Sequence, residues 1–338
     1  PIRRHTLRIA EPLPSGSGEY SSSHHLCLAL LLLSVTGNAT IRKVRVYLDH
    51  NATTPVALAV SDAVADTLRS CYGNASSIHF FGQSAKGKVD RARSAVAELV
   101  GGKPSEIVFT SGGTEADNLA IRGVAEVVQR SRHQLIASAI EHEAVLNTFK
   151  TLEKHGWTTT LLPVDQHGLI DPSDLENSLS NDTALVSVMH ANNEIGTIQP
   201  IQRLAQLTHK HGALFHTDAV QSAGKIPINV QTLGVDLLSI SAHKFNGPKG
   251  CGALWVKRGT HVVSTITGGR QERNRRAGTE NVPAIVGMGV AARKTLDALD
   301  SSSEKIGPLR DKLELGILES VPNTAVNGAS HCRISNTT

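Results

Sequence analysis

Aromatic residues make up only 3% of the 338 positions. The ring platforms on which many proteins stack single-stranded nucleic acid are therefore missing. Clustered positive charge is missing too. The net charge of +4 is spread along the chain with no long basic run, so nothing forms the electrostatic footprint of a nucleic-acid binder. Cysteine is rare: Cys27, Cys71, Cys251 and Cys332 lie far apart and form no CxxC pair. That spacing excludes a disulfide framework and a structural zinc site, and makes a reducing, cytoplasmic setting the expectation. The apolar run Leu26 to Val35 is too short to span a bilayer, so no membrane partner is expected, and the cysteine spacing leaves no metal expected.

Residues 1–45, with Arg3, Arg4, a Ser/Gly-rich stretch and that apolar run, differ in character from the rest. The run suits the apolar part of a signal peptide. The cytoplasmic-type pattern that follows at once favours an artificial or upstream-translated leader outside the fold. From Val46 onward, short β-branched runs alternate with amphipathic helical stretches, the signature of an α/β fold built on a mainly parallel sheet. Strands are expected at 107–110, 135–139, 159–162, 185–189, 214–217, 237–240 and 253–256. A helix start is expected at Thr54-Pro55, because proline tolerates the first helical position. A helix over 85–100 should stop at Gly101-Gly102. A large domain is expected over 46–300. A charged helix, Glu304 to Glu319, should open a smaller C-terminal domain over 301–338 that is incomplete.

Four motifs fall at strand ends, where α/β proteins place ligands. Ser241-Ala242-His243-Lys244 follows the strand at 237–240. Alone, a lysine in a Gly/Pro-rich turn is a surface residue, but a desolvated one can form a Schiff base with an aldehyde. His216-Thr217-Asp218-Ala219-Val220-Gln221 puts a carboxylate at the next strand end. Asp218 suits the pyridine nitrogen of pyridoxal 5′-phosphate (PLP), whose electron-withdrawing form needs such a partner. Ser111-Gly112-Gly113-Thr114 lies between a strand and a helix, where free N–H groups attract phosphate. It is neither a Walker loop nor a GxGxxG fingerprint. His142 follows the strand at 135–139 and can stack on a ring and exchange protons. Its neighbour Glu143 begins an HExxH pattern that fails at Leu146.

Together and in this order these motifs resemble the cysteine desulfurases, the NifS and IscS type of class-V aminotransferase-fold enzymes. Further segments carry the same likeness: Tyr47 to Pro55, Gly73 to Ser77, Asn192 to Gly196, Gly268 to Arg273 and Arg276 to Asn281. The resemblance implies a PLP-dependent transferase fold of the aspartate-aminotransferase kind, with helices on both sheet faces, a small C-terminal α+β domain and a homodimer. It implies that Lys244 holds PLP and moves the substrate α-proton, that Asp218 pairs with the pyridine nitrogen, and that Gln221 bonds the phenolic oxygen. His142 would stack on the ring. Gly113, Thr114, Ser241 and His243 would hold the phosphate, and Thr279 would reach it from the neighbouring subunit. Asn193 would lie beside the cofactor and the substrate carboxylate.

Ala242 stands where many relatives have glycine, a small change. The implied reaction converts L-cysteine to L-alanine and passes sulfur, as a persulfide, to an acceptor or scaffold protein of iron–sulfur cluster assembly. Selenocysteine lyase and a PLP-binding but inactive scaffold share nearly all these motifs. The family's catalytic cysteine sits in a loop of the Ser-Ser-Gly-Ser-Ala-Cys kind, and no such segment occurs here. Cys332 matches a segment preceding that loop and is expected to be structural, Cys251 to be a small buried residue. The substrate-carboxylate arginine is expected beyond Thr338.

Overall fold

The computed structural model describes residues 45–129 and 131–338. The expected leader, with Cys27 and the run from Leu26, lies outside the described residues apart from Arg45. Residues 48–338 form one compact unit. Its helices are α1 Leu58–Ser70, α2 Phe80–Leu99, α3 Gly113–Val128, α4 Glu143–Glu153, α5 Pro172–Ser178, α6 Ile201–Lys210, α7 Val230–Leu233 and α8 Val282–Ser320. Its strands are β1 Ile107–Thr110, β2 Gln134–Ser138, β3 Thr158–Leu162, β4 Thr183–Ser187, β5 Leu214–Asp218, β6 Leu237–Ser241 and β7 Gly252–Val256.

The strands form one sheet in the order β1-β7-β6-β5-β4-β2-β3. Pairs β3/β2, β2/β4, β4/β5 and β5/β6 are parallel. Strand β7 runs antiparallel to both β6 and β1, so β1 points the same way as β6. The sheet is mainly parallel, as the sequence predicts. Strands such as Leu237-Leu238-Ser239-Ile240 are buried throughout, which is what a sheet covered on both faces requires. Alternate residues feed opposite layers. Ile107, Phe109, Leu238 and Trp255 join a core with α2, α6 and α8, while Val108, Leu237 and Leu254 join one with α3 and α4. Each such buried aliphatic side chain contributes roughly 1.5–3 kcal/mol.

Three local expectations need correction. The first helix begins at Leu58, not at Pro55. Thr54 is held out of it because its N–H and Oγ1 both donate to the His243 carbonyl, at 2.9 and 2.8 Å, and its Oγ1 accepts from the Asn246 N–H at 2.8 Å. The helix expected at 85–100 starts a turn and a half earlier, at Phe80, where His79 caps it by accepting from the Gly82 N–H. The charged helix at 304–319 is the far half of α8, which runs unbroken from Val282 through position 300. Gly287 and Gly289 serve close packing. A Cβ on Gly289 would lie 2.6 Å from Ala92 Cα, so glycine lets α8 lie directly on α2. Beyond position 300 the helix leaves Ile306, Leu309, Leu313 and Ile317 exposed on one stripe.

Candidate active site

A cavity of about 220 Å³ opens at the carboxyl ends of the parallel strands. Gly113 and Thr114 enter it from the turn after β1, His142 from the segment after β2, and Asn193 from the segment after β4. Asp218 and Gln221 come from the end of β5, and Ser241, His243 and Lys244 from the end of β6. Nine of the ten residues singled out in the sequence thus meet in one place. The tenth, Thr279, is not among the residues lining it and lies in an exposed loop. A larger, open groove of about 530 Å³ between α1, α2 and α8 contains none of these groups.

Local structure sets each side chain. Thr110 Oγ1 donates to the Gly112 carbonyl at 2.9 Å, and Glu115 accepts from the Ser111 N–H at 2.9 Å, which fixes the turn at the start of α3. A Cβ on Gly113 would lie 2.8 Å from Val220 Cγ2, so the bare backbone is required there. His142 caps α4, its Nδ1 accepting from the Ala144 N–H at 3.1 Å, which leaves Nε2 to carry the proton of the neutral ring. Asp218 Oδ1 accepts from the Val220 N–H at 2.8 Å. Lys244 Nζ donates to the Asn51 carbonyl, and Gln221 Nε2 donates to the same oxygen at 2.8 Å.

The electrostatics follow from burial. Burial raises Asp218 above the usual carboxylate range, opposed by the Val220 N–H, His142 and Lys244. Burial lowers Lys244 below the ordinary lysine value, opposed by Asp218 and Asp49. His243 is lowered by burial and by the cations Lys244 and Lys249. An amine held below its ordinary value is the kind that attacks a carbonyl.

Sequence reading missed three groups. Asp117, one turn into α3, lines the cavity, and its Oδ1 is buried without a hydrogen-bond partner. Burial and the neighbouring Asp218 push it well above the carboxylate range. Glu141, pushed up to about 8 by burial, accepts from Ser138 Oγ at 2.5 Å and the Met189 N–H at 2.7 Å. Asn51 gathers Lys244 and Gln221 on its carbonyl, while its side chain donates to Thr337 Oγ1 at 2.9 Å and accepts from Asn336 Nδ2 at 2.8 Å. Only the order Ser-Gly-Gly-Thr-Glu-Ala-Asp hints at Asp117, since it places that residue one turn behind Gly113 on the same helix face.

The aminotransferase class-V family matches residues 46–338. The chain belongs to that family. A relative from Dictyoglomus turgidum named cysteine desulfurase IscS is 48% identical over 294 residues, covering 87% of this chain and 75% of its own. A solved structure described as a NifS-like protein superposes with a TM-score of 0.84 at 39% identity, over 86% of this chain and 80% of that one. A second, described as SspA in complex with cysteine, gives 0.71 at 41% identity over 73% and 72%. The class-V fold is thus the PLP-dependent fold expected from the sequence, and the pocket fits that cofactor. It offers a buried carboxyl for a pyridine nitrogen, an amine lowered by burial for an aldehyde, and a glycine turn at the head of a 16-residue helix for a phosphate.

Of the cysteines among the described residues, Cys251 is buried, Cys71 and Cys332 half-buried, and none lines the pocket. Burial pushes the Cys251 thiol up to about 12. Cys332 is held by backbone bonds, its carbonyl accepting from the Ile198 N–H at 2.8 Å. Among the described residues no cluster of three metal-ligating side chains occurs, and no helix is long and apolar enough to cross a membrane.

Proposed function

We propose that this chain is the PLP-binding part of a cysteine desulfurase that converts L-cysteine to L-alanine and passes the sulfur on as a persulfide. The observation that carries the reading is the pairing of a burial-lowered Lys244 with a buried Asp218 in one cavity of a class-V fold. Bound PLP supplies an electron sink that acidifies the substrate α-carbon. Lys244 holds the cofactor and then, as a free amine, moves the α-proton. Asp218 shares a proton with the pyridine nitrogen, and Gln221 donates to the phenolic oxygen. His142 stacks on the ring, and Asn193 lies near the substrate carboxylate. Gly113, Thr114, Ser241 and His243 hold the phosphate.

Cleavage of the substrate C–S bond leaves sulfur on an acceptor thiol. A thiol must be exposed and readily ionised to do this, so Cys251, pushed up to about 12 by burial, and Cys332, whose thiol burial also raises, do not suit that role. Thr279 reaches the phosphate of a second copy, which makes the functional unit a homodimer. The sulfur goes to an acceptor or scaffold protein of iron–sulfur cluster assembly, in the reducing cytoplasm. The relatives' names favour this reading over selenocysteine lyase and over an inactive scaffold.

The test is borohydride reduction of the PLP-loaded protein followed by peptide mapping. A pyridoxyl group on Lys244 is expected, with a change in visible absorbance on adding L-cysteine and none on adding L-lysine. The same label on a folded Lys244→Ala variant would refute the assignment.

A further inference from the structure

Gln221 faces two partners of opposite kind. Its Oε1 accepts from Lys225 Nζ at 2.7 Å, and its Nε2 donates to the Asn51 carbonyl at 2.8 Å. Lys225 Nζ also donates to Asn51 Oδ1 at 3.4 Å. An amine on a charged or neutral lysine offers N–H donors, and a backbone carbonyl only accepts. Rotating the amide by half a turn would set its oxygen against the Asn51 carbonyl, losing that bond whatever the lysine's charge. It would also set its N–H₂ against the N–H donors of a charged Lys225, losing that bond as well while the lysine is charged. Gly224 sits at φ 80°, and a Cβ there would lie 2.8 Å from Phe245 Cβ and Thr295 Cγ2, so the chain reverses tightly and brings Lys225 back over Gln221. Burial, with Lys244 adding to it, lowers Lys225 to about 7. Placing an amine there therefore costs stability, and its contact with Gln221 is the return.

We propose that Lys225 is a positioning residue that locks the Gln221 amide with its N–H₂ end turned toward the cofactor's phenolic oxygen. The inference rests on the role given to Gln221 above. A donor to that oxygen favours its ionised form, and a flipped amide would present an acceptor and favour the protonated form.

The experiment is a pH titration of the visible absorbance of the PLP-loaded protein. Gln221→Ala should raise the midpoint by about one pH unit. Lys225→Met should raise it in the same direction, and Lys225→Arg, which keeps donors, should titrate as the parent. In the Gln221→Ala background, Lys225→Met should add nothing. If its shift persists there undiminished, Lys225 acts as a bare cation and the proposal falls. It falls equally if Lys225→Met leaves the midpoint where it was while Gln221→Ala moves it. An unmoved midpoint in Gln221→Ala would instead overturn the assignment of Gln221, and with it this inference. Should Lys225→Met fail to load cofactor, Lys225→Gln keeps an N–H donor without the charge, and a shifted titration in both it and Lys225→Arg would overturn the proposal.

Discussion

Replacing Arg93 with methionine should unfasten the loop that carries Thr279. Arg93 pairs with Glu272 through two bonds of 2.7 Å, with side chains only 8% and 3% exposed. Between them they cap the open edge of β1, since Arg93 donates to the Ile107 carbonyl at 2.9 Å and Glu272 accepts from the Phe109 N–H at 2.9 Å. Removing one partner of a buried pair costs about 3–5 kcal/mol, because the other charge is left uncompensated. Glu272, Arg273 and Asn274 meanwhile sit at φ 45°, 57° and 64°, a left-handed run that costs L-residues roughly 1–2 kcal/mol each. The pair and the strain are of similar size, so the turn should relax once the pair is gone.

Two measurements follow for Arg93→Met. The melting temperature should fall by on the order of 10 °C, and limited trypsin digestion should cut first at Arg273 or Arg275. Arg93→Met with Glu272→Gln should recover part of the loss, because the amide oxygen still caps Phe109 without stranding a charge. A loss under about 1 kcal/mol, far short of the buried-pair range, with the turn still resistant to trypsin, would show that the pair does not hold this loop.

Two further outcomes are expected. Between the ordinary value near 4.5 and about 8, folded Glu141 keeps a proton that the unfolded chain releases, so its contribution to stability falls as pH rises, by about 1.4 kcal/mol per unit. Glu141→Gln has no such slope, so the stability of the variant relative to the parent should rise from pH 5 to pH 8 and then level off; a constant difference would refute this. Gly113→Ala places a methyl 2.8 Å from Val220 Cγ2 and should weaken PLP binding about tenfold in a spectral titration of the apoprotein, whereas unchanged affinity would show that the turn yields freely.

Most strands were legible because they are short, largely apolar or β-branched runs bounded by turn residues, a pattern that burial on both faces enforces. Edge strand β3, Thr-Thr-Thr-Leu-Leu and partly exposed, was legible from its β-branched residues. The strand-end motifs were legible for a related reason: Lys244, Asp218 and His142 each follow such a run directly. What stayed hidden depends on partners far along the chain. Thr54 reads as a helix start until the His243 carbonyl, 189 positions away, claims its donors. Asn51 reads as a loop residue until Gln221 and Lys244 converge on it. Asp117 reads as part of a solvated first turn, and only the packing of α3 against β6 and β5 turns it inward.

The hydrogen bonds of Asn51 also bear on when the pocket is finished. Its carbonyl anchors the amine of Lys244, while its side chain waits for Asn336 and Thr337, 285 and 286 positions downstream. Synthesis adds roughly 5–20 residues per second, so a ribosome that has already made Lys244 still needs several seconds to deliver those two partners. Until then one wall of the pocket is held by half its bonds. Capture of the cofactor is thereby tied to the synthesis of Asn336 and Thr337, and a chain stalled short of Asn336 carries the reactive lysine without the frame that holds it still.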